Sequence, residues 1–114
     1  MPKTVIHILR SPPTQKVNDE MLEPLGTYVK LAVDIRRGML AGGGILHADC
    51  EAALLEDGSR QDDVWGADWE PSGRTLTFEA LINIRPRQGN PSMDILDSAT
   101  RDAVAQVVGR ILGA

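Results

Sequence analysis

Two turn dipeptides, Asp57-Gly58 and Ser72-Gly73, punctuate residues 45–85 and sort their side chains into two faces. Asp-Gly favours a two-residue hairpin turn, because both residues tolerate the positive φ that a type I′ turn demands. With Asp57-Gly58 at a tip, Cys50 faces Trp65, Ala48 faces Ala67 and Leu46 faces Trp69, all apolar. On the opposite face His47 meets Asp68, Asp49 meets Gly66 and Glu51 meets Val64. A slip of one residue would mix the faces. Placing Ser72-Gly73 at a second tip pairs Trp69 with Leu76, Ala67 with Phe78 and Trp65 with Ala80, and adds Thr77 and Glu79 to the polar face. The pattern therefore predicts a three-strand meander over Ile45–Arg85 that buries both tryptophans.

The flanking segments supply the other elements. The β-branched run Thr4–Leu9 reads as a strand, broken by Ser11-Pro12-Pro13. Thr14 caps a helix with Val17, Met21 and Leu25 on one side, and Pro24 and Gly26 end it. Tyr28–Ile35 alternates as a half-buried strand, and Gly42-Gly43-Gly44 reads as a turn. The register of 28–35 against 45–56 stays open: one pairing sets Asp34 beside His47, another Arg36 beside Asp49. Pro86–Asn90 reads as a loop. Asp97 caps a last helix with the stripe Val104, Val107, Val108, Ile111. Residues 1–114 thus form a single α+β domain, with a mixed or antiparallel sheet and two helices covering one face. The other face should stay open to solvent, a ligand or another subunit.

Composition narrows the class. The chain is 42% hydrophobic and 25% charged, as in a folded domain rather than a disordered one. Its single cysteine, Cys50, permits no internal disulfide and fits a cytoplasmic location. No apolar stretch is long enough for a membrane span or a signal peptide. A net charge of −4 argues against non-specific nucleic-acid binding.

Two candidate sites lie on the open face. His47, Asp49, Asp68 and Glu79 surround Gly66, where directly opposed Cβ atoms are about 5 Å apart. An imidazole among carboxylates could hold a divalent metal and activate water, although an ordinary cross-strand ion pair uses the same residues. Arg60, Arg85 and Arg87, with Asn83 and Gln88, would suit a carboxylate or phosphate ligand, against the plainer pairing of the arginines with Asp62 and Asp63. Trp65, Trp69 and Cys50 read as core, and His7 as a satisfied structural histidine.

The runs Lys30–Ile35, Ala41–Gly44, Leu46–Cys50, Leu55–Ser59, Trp65–Trp69 and Ile82–Gln88 together resemble a small prokaryotic family of uncharacterised proteins, domain-of-unknown-function family 5674. The resemblance extends over nearly the whole chain. It implies no particular reaction, cofactor or partner, and no catalytic residue is carried over from it. Three functional classes follow from the residues themselves. One is a module binding a small anionic ligand. Another is a domain that self-associates as a homodimer through the open face, where Tyr28, Ile45, Leu55, Val64 and Leu81 form an apolar fringe. The third is a metal-dependent hydrolase using His47, Asp49 and Asp68 with Glu79. Binding or assembly is favoured over catalysis, since no nucleophile–base–oxyanion set is visible.

Overall fold

A computed structural model describes residues 5–113. In chain order the elements are β1 (His7–Leu9), α1 (Gln15–Leu22), β2 (Val29–Asp34), β3 (Met39–Gly44), α2 (His47–Glu56), β4 (Val64–Glu70), β5 (Thr75–Thr77) and α3 (Ser98–Leu112). The strands make one antiparallel sheet in the order β1-β3-β2-β4-β5. The α+β class expected from the sequence is the one observed. Of the expected N-terminal strand, Thr4 lies outside the described residues.

Both terminal helices form as their caps dictate. Thr14 Oγ1 accepts from the Val17 N–H at 3.3 Å, and α1 stops two residues before Pro24. Asp97 Oδ2 accepts from the Thr100 N–H at 2.9 Å, and α3 closes on Gly113 at φ 82°. Its stripe Val104, Val107, Val108 and Ile111 is buried against Leu31, Val33, Trp65 and Trp69, together with Met21 of α1. The tryptophans are therefore core, under two helices, as the patterning required. The Ser72-Gly73 turn also holds, with Trp69 opposite Leu76 and Asp68 opposite Thr77. Beyond Thr77 the strand ends, so the expected pairs Ala67–Phe78 and Trp65–Ala80 do not form.

The first arm of the expected meander is instead a helix. Residues 47–56 are rich in alanine, leucine and glutamate, the strongest helix formers. Its inward positions Cys50 and Leu54 stand four apart and are fully buried. Asp57-Gly58 ends that helix rather than turning a hairpin. Gly58 takes φ 110°, and the N–H groups of Asp57 and Ser59 reach back to Ala53 and Leu54. The pairings of residues 46–51 with 64–69 are thereby replaced by a helix lying across the sheet. Cys50 and Leu54 of α2 pack on Ala32, Met39, Ala41 and Val64. The sheet face expected to be open is thus covered, and Val64, placed in its apolar fringe, is buried.

The glycine triplet is not a turn either. Gly42, Gly43 and Gly44 lie inside β3, where neighbouring groups crowd the backbone. A Cβ on Gly42 would stand 2.9 Å from Leu31 Cδ2, and one on Gly44 3.2 Å from Cys50 Sγ. The reversal from β2 to β3 falls at Ile35–Gly38, where Asp34 Oδ1 accepts from the N–H groups of Arg36 and Arg37 at 2.9 and 2.8 Å. Asp34 pairs with Met39 and Val64, and residues 47–56 are helical, so neither of the strand pairings left open above forms.

Residues 78–96 contain no long element and are organised by two buried asparagines. Asn83 Oδ1 accepts from the Gly66 N–H at 2.7 Å, and its amide nitrogen donates to the carbonyls of Gly66, Phe78 and Met93. One side chain thus takes the place of the strand that would have continued beside β4. Asn90 donates to the carbonyls of Asn83, Ser92 and Asp94 and accepts from the Leu96 N–H.

Candidate functional site

The segment pinned by Asn83 forms one wall of a cleft of about 410 Å³. The opposite wall is the start of α2, with Leu46 just before it and His47 and Ala48, and the floor is Tyr28 just before β2, Lys30 of β2 and Asp68 of β4. Ala80, Leu81, Ile82 and Met93 make the pinned wall apolar, and Glu79 stands at its edge. A concavity that is mostly apolar, with a few convergent polar groups, is the usual form of a small-molecule site.

His47 and Asp68 are brought together, by a route different from the expected strand pairing. His47 opens α2 and reaches down onto β4, where its Nε2 lies 2.7 Å from Asp68 Oδ1 and 3.2 Å from the Ala67 carbonyl oxygen. Only 11% of the imidazole side chain is exposed, so this contact is shielded on most sides. Lys30 is the cross-strand partner of Asp68. Its ammonium forms no ion pair among the described residues, although the carboxylates of Asp68 and Glu79 line the same cleft.

The remaining expected ligands disperse. Asp49 is exposed on α2, and Glu79 shares the cleft without joining a cluster. No three His, Cys, Asp or Glu side chains among the described residues converge as a metal site would require.

The expected arginine cluster likewise does not assemble. Arg85 is only 9% exposed and turns inward, donating to the carbonyls of Ile82, Gln61 and Val64 and lying 3.3 Å from Glu51 Oε2. Its guanidinium stacks 4.6 Å from the Trp65 ring centroid. Burial pulls Arg85 below the usual guanidinium range and pushes Glu51 above the usual carboxylate range, each against the attraction of the other. Asn83 is engaged by the backbone, and Gln88 donates to the Asp62 carbonyl. Arg60 and Arg87 remain exposed and apart from these hydrogen bonds. Two like charges drawn opposite one another need an anion between them; here Arg85 finds that anion in Glu51 instead.

Cys50 is buried beneath α2, and burial pushes its thiol up to about 11, so it is a packed hydrophobe rather than a nucleophile. His7 is not the satisfied histidine expected: its buried Nε2 lies 3.6 Å from Glu20 Oε1, beyond hydrogen-bond length. Sequence patterning gives Lys30 no role, because the alternation of Tyr28–Ile35 marks a half-buried strand and not a site. It overlooked Met93 because nothing in residues 90–96 has a period.

The family model described as Protein of unknown function (DUF5674) matches residues 7–111. The chain belongs to this family. That match includes every residue lining the cleft. No curated protein and no solved structure matches the chain. Among the described residues, no helix is long and apolar enough to cross a membrane.

Proposed function

We propose that the protein binds a small, largely apolar carboxylate in the cleft between α2 and residues 79–82. The observation that carries this reading is Lys30, which lines a mostly apolar cleft beside the carboxylates of Asp68 and Glu79 and makes no ion pair among the described residues. A charge so placed gains most from an anion that also fills the surrounding volume. Leu46, Leu81, Ile82 and Met93 would receive the apolar body. The ligand-binding role thus rests on Lys30 rather than on Arg60, Arg85 and Arg87.

The reading is tested by melting the protein with isovalerate, 2-hydroxyisocaproate and the neutral amide isovaleramide. At ten times the dissociation constant a ligand adds about 1.4 kcal/mol, a rise of about 5 °C in Tm. The acids are expected to raise Tm and the amide to leave it unchanged. Lys30→Met is expected to abolish the rise. If none of the acids moves Tm at millimolar concentration, or if Lys30→Met responds as wild type does, the reading fails.

A second reading, self-association, is favoured by the rim of the same cleft. Leu81 is 72% exposed, Leu46 54% and Met93 41%, side chains that a second copy would cover. Light scattering across a concentration series is expected to give a dimer mass that Leu81→Glu returns to a monomer. A monomer mass for wild type throughout eliminates it.

A further inference from the structure

We propose that His47 is the proton acceptor of the cleft, with Asp68 as its positioning residue. This rests on reading the cleft as a ligand site, and adds the group that the ligand must present. Nε2 of His47 faces two oxygen atoms, the Asp68 carboxylate and the Ala67 carbonyl. Both oxygens accept, and the shorter contact to the Asp68 carboxylate dominates, so the hydrogen sits on Nε2. In the neutral ring the lone pair is then on Nδ1.

That second nitrogen makes no hydrogen bond among the described residues. Nor is it one of the buried side-chain atoms left without a partner among the described residues, His7 Nε2 and Asp34 Oδ2. Nδ1 therefore reaches solvent from a side chain that is otherwise shielded and lines the cleft. The result is a basic nitrogen of defined tautomer, oriented by a carboxylate behind the ring, the arrangement that lets a histidine act as general base.

The ligand class follows from the two polar fixtures. Lys30 takes a carboxylate, and His47 Nδ1 takes an O–H or N–H, as in an apolar hydroxy acid or amino acid. In the hydrogen-bonded complex the proton stays on the ligand. On full transfer the O–H or N–H bond breaks, its electron pair remains on the ligand atom, and an Nδ1–H bond forms. The positive imidazolium then faces the Asp68 carboxylate across the same 2.7 Å contact.

Nitrogen-15 NMR of the histidine rings tests the assignment directly in mildly alkaline buffer. The chain has two histidines, and His7→Gln identifies the His47 signals. Wild type is expected to show the Nε2–H tautomer alone. Asp68→Leu is expected to mix the two tautomers. An Nδ1–H tautomer in wild type overturns the proposal, and an unchanged pure Nε2–H pattern in Asp68→Leu removes Asp68 from the positioning role.

Diethyl pyrocarbonate provides the second readout, since in a histidine it acylates an accessible unprotonated ring nitrogen, giving an N-carbethoxyimidazole whose ultraviolet absorbance distinguishes it from acylated lysine or tyrosine. One carbethoxy group on His47 of the native chain is expected, lost in His47→Gln. Modification of His47 only after unfolding in urea overturns the proposal. Neither measurement uses a ligand, so a silent melting assay removes the carboxylate reading alone, and a wrong tautomer removes the base assignment alone.

Discussion

Replacing Asn83 with alanine should remove about 4 kcal/mol of folding stability, a large share of the roughly 5–15 kcal/mol that a domain possesses. The side chain is fully buried and satisfies the Gly66 N–H together with the carbonyls of Gly66, Phe78 and Met93. Alanine leaves the Gly66 N–H and the Gly66 and Phe78 carbonyls without this partner, while the Met93 carbonyl keeps the Ala80 N–H. Buried, unsatisfied polar groups are each destabilising by about 1–3 kcal/mol, and partial relaxation keeps the sum below the arithmetic total. Asn83→Asp tests the mechanism, because it puts an acceptor oxygen where the amide nitrogen now faces three carbonyls. It is expected to be at least as damaging, despite its near-identical shape. Urea unfolding curves give both values. A loss below about 1 kcal/mol for Asn83→Ala would show that residues 78–96 are held by apolar packing alone.

Arg85→Ala should cost about 3–5 kcal/mol, the range for removing one partner of a buried ion pair. Alanine strands the Glu51 carboxylate and loses the guanidinium over Trp65. It also removes the guanidinium donor from the carbonyls of Ile82, Gln61 and Val64, of which Gln61 keeps the Val64 N–H. Part of the loss should return in the double variant Arg85→Ala/Glu51→Gln, which carries no stranded charge. The pH dependence has a definite sign. Burial raises Glu51 in the folded state above its ordinary value of 4.5, so the folded protein holds this proton more tightly. The contribution of Glu51 is therefore fully present below about pH 4.5 and is lost as pH rises through its folded value. Without Arg85 the attraction that lowers Glu51 is gone, and the loss should extend to higher pH. Denaturation of wild type, Arg85→Ala and the double variant at a series of pH values checks each step. A single variant as stable as wild type would return Arg85 to the role of an uncommitted anion ligand.

These effects bear on how far residue patterning reaches. Caps at Thr14 and Asp97 were legible because a side-chain oxygen ahead of an apolar stripe has a local partner, the N–H three residues on. The hairpin joining β4 and β5 was legible for the same reason, since turn and alternation lie within a few residues of each other. Residues 46–56 misled because two signals there have two meanings. Leu46, Ala48 and Cys50 alternate, but Cys50 and Leu54 also stand one helical turn apart, and helix propensity decides between them. Asp-Gly turns a hairpin or ends a helix depending on what precedes it.

The contact of His47 with Asp68 was anticipated, yet the helix start reaching across β4 produces it rather than a strand pair. Long-range satisfaction was beyond local reading. Nothing near Asn83 announces that its amide serves Gly66, seventeen residues away. Nothing near Arg85 announces Glu51, thirty-four residues away.

β1 and β5 flank the sheet, and each has only three residues. An edge that short offers an incoming strand too few backbone groups to start a continuous intermolecular ladder. Among the described residues, edges of this length work against growth into fibres by sheet extension.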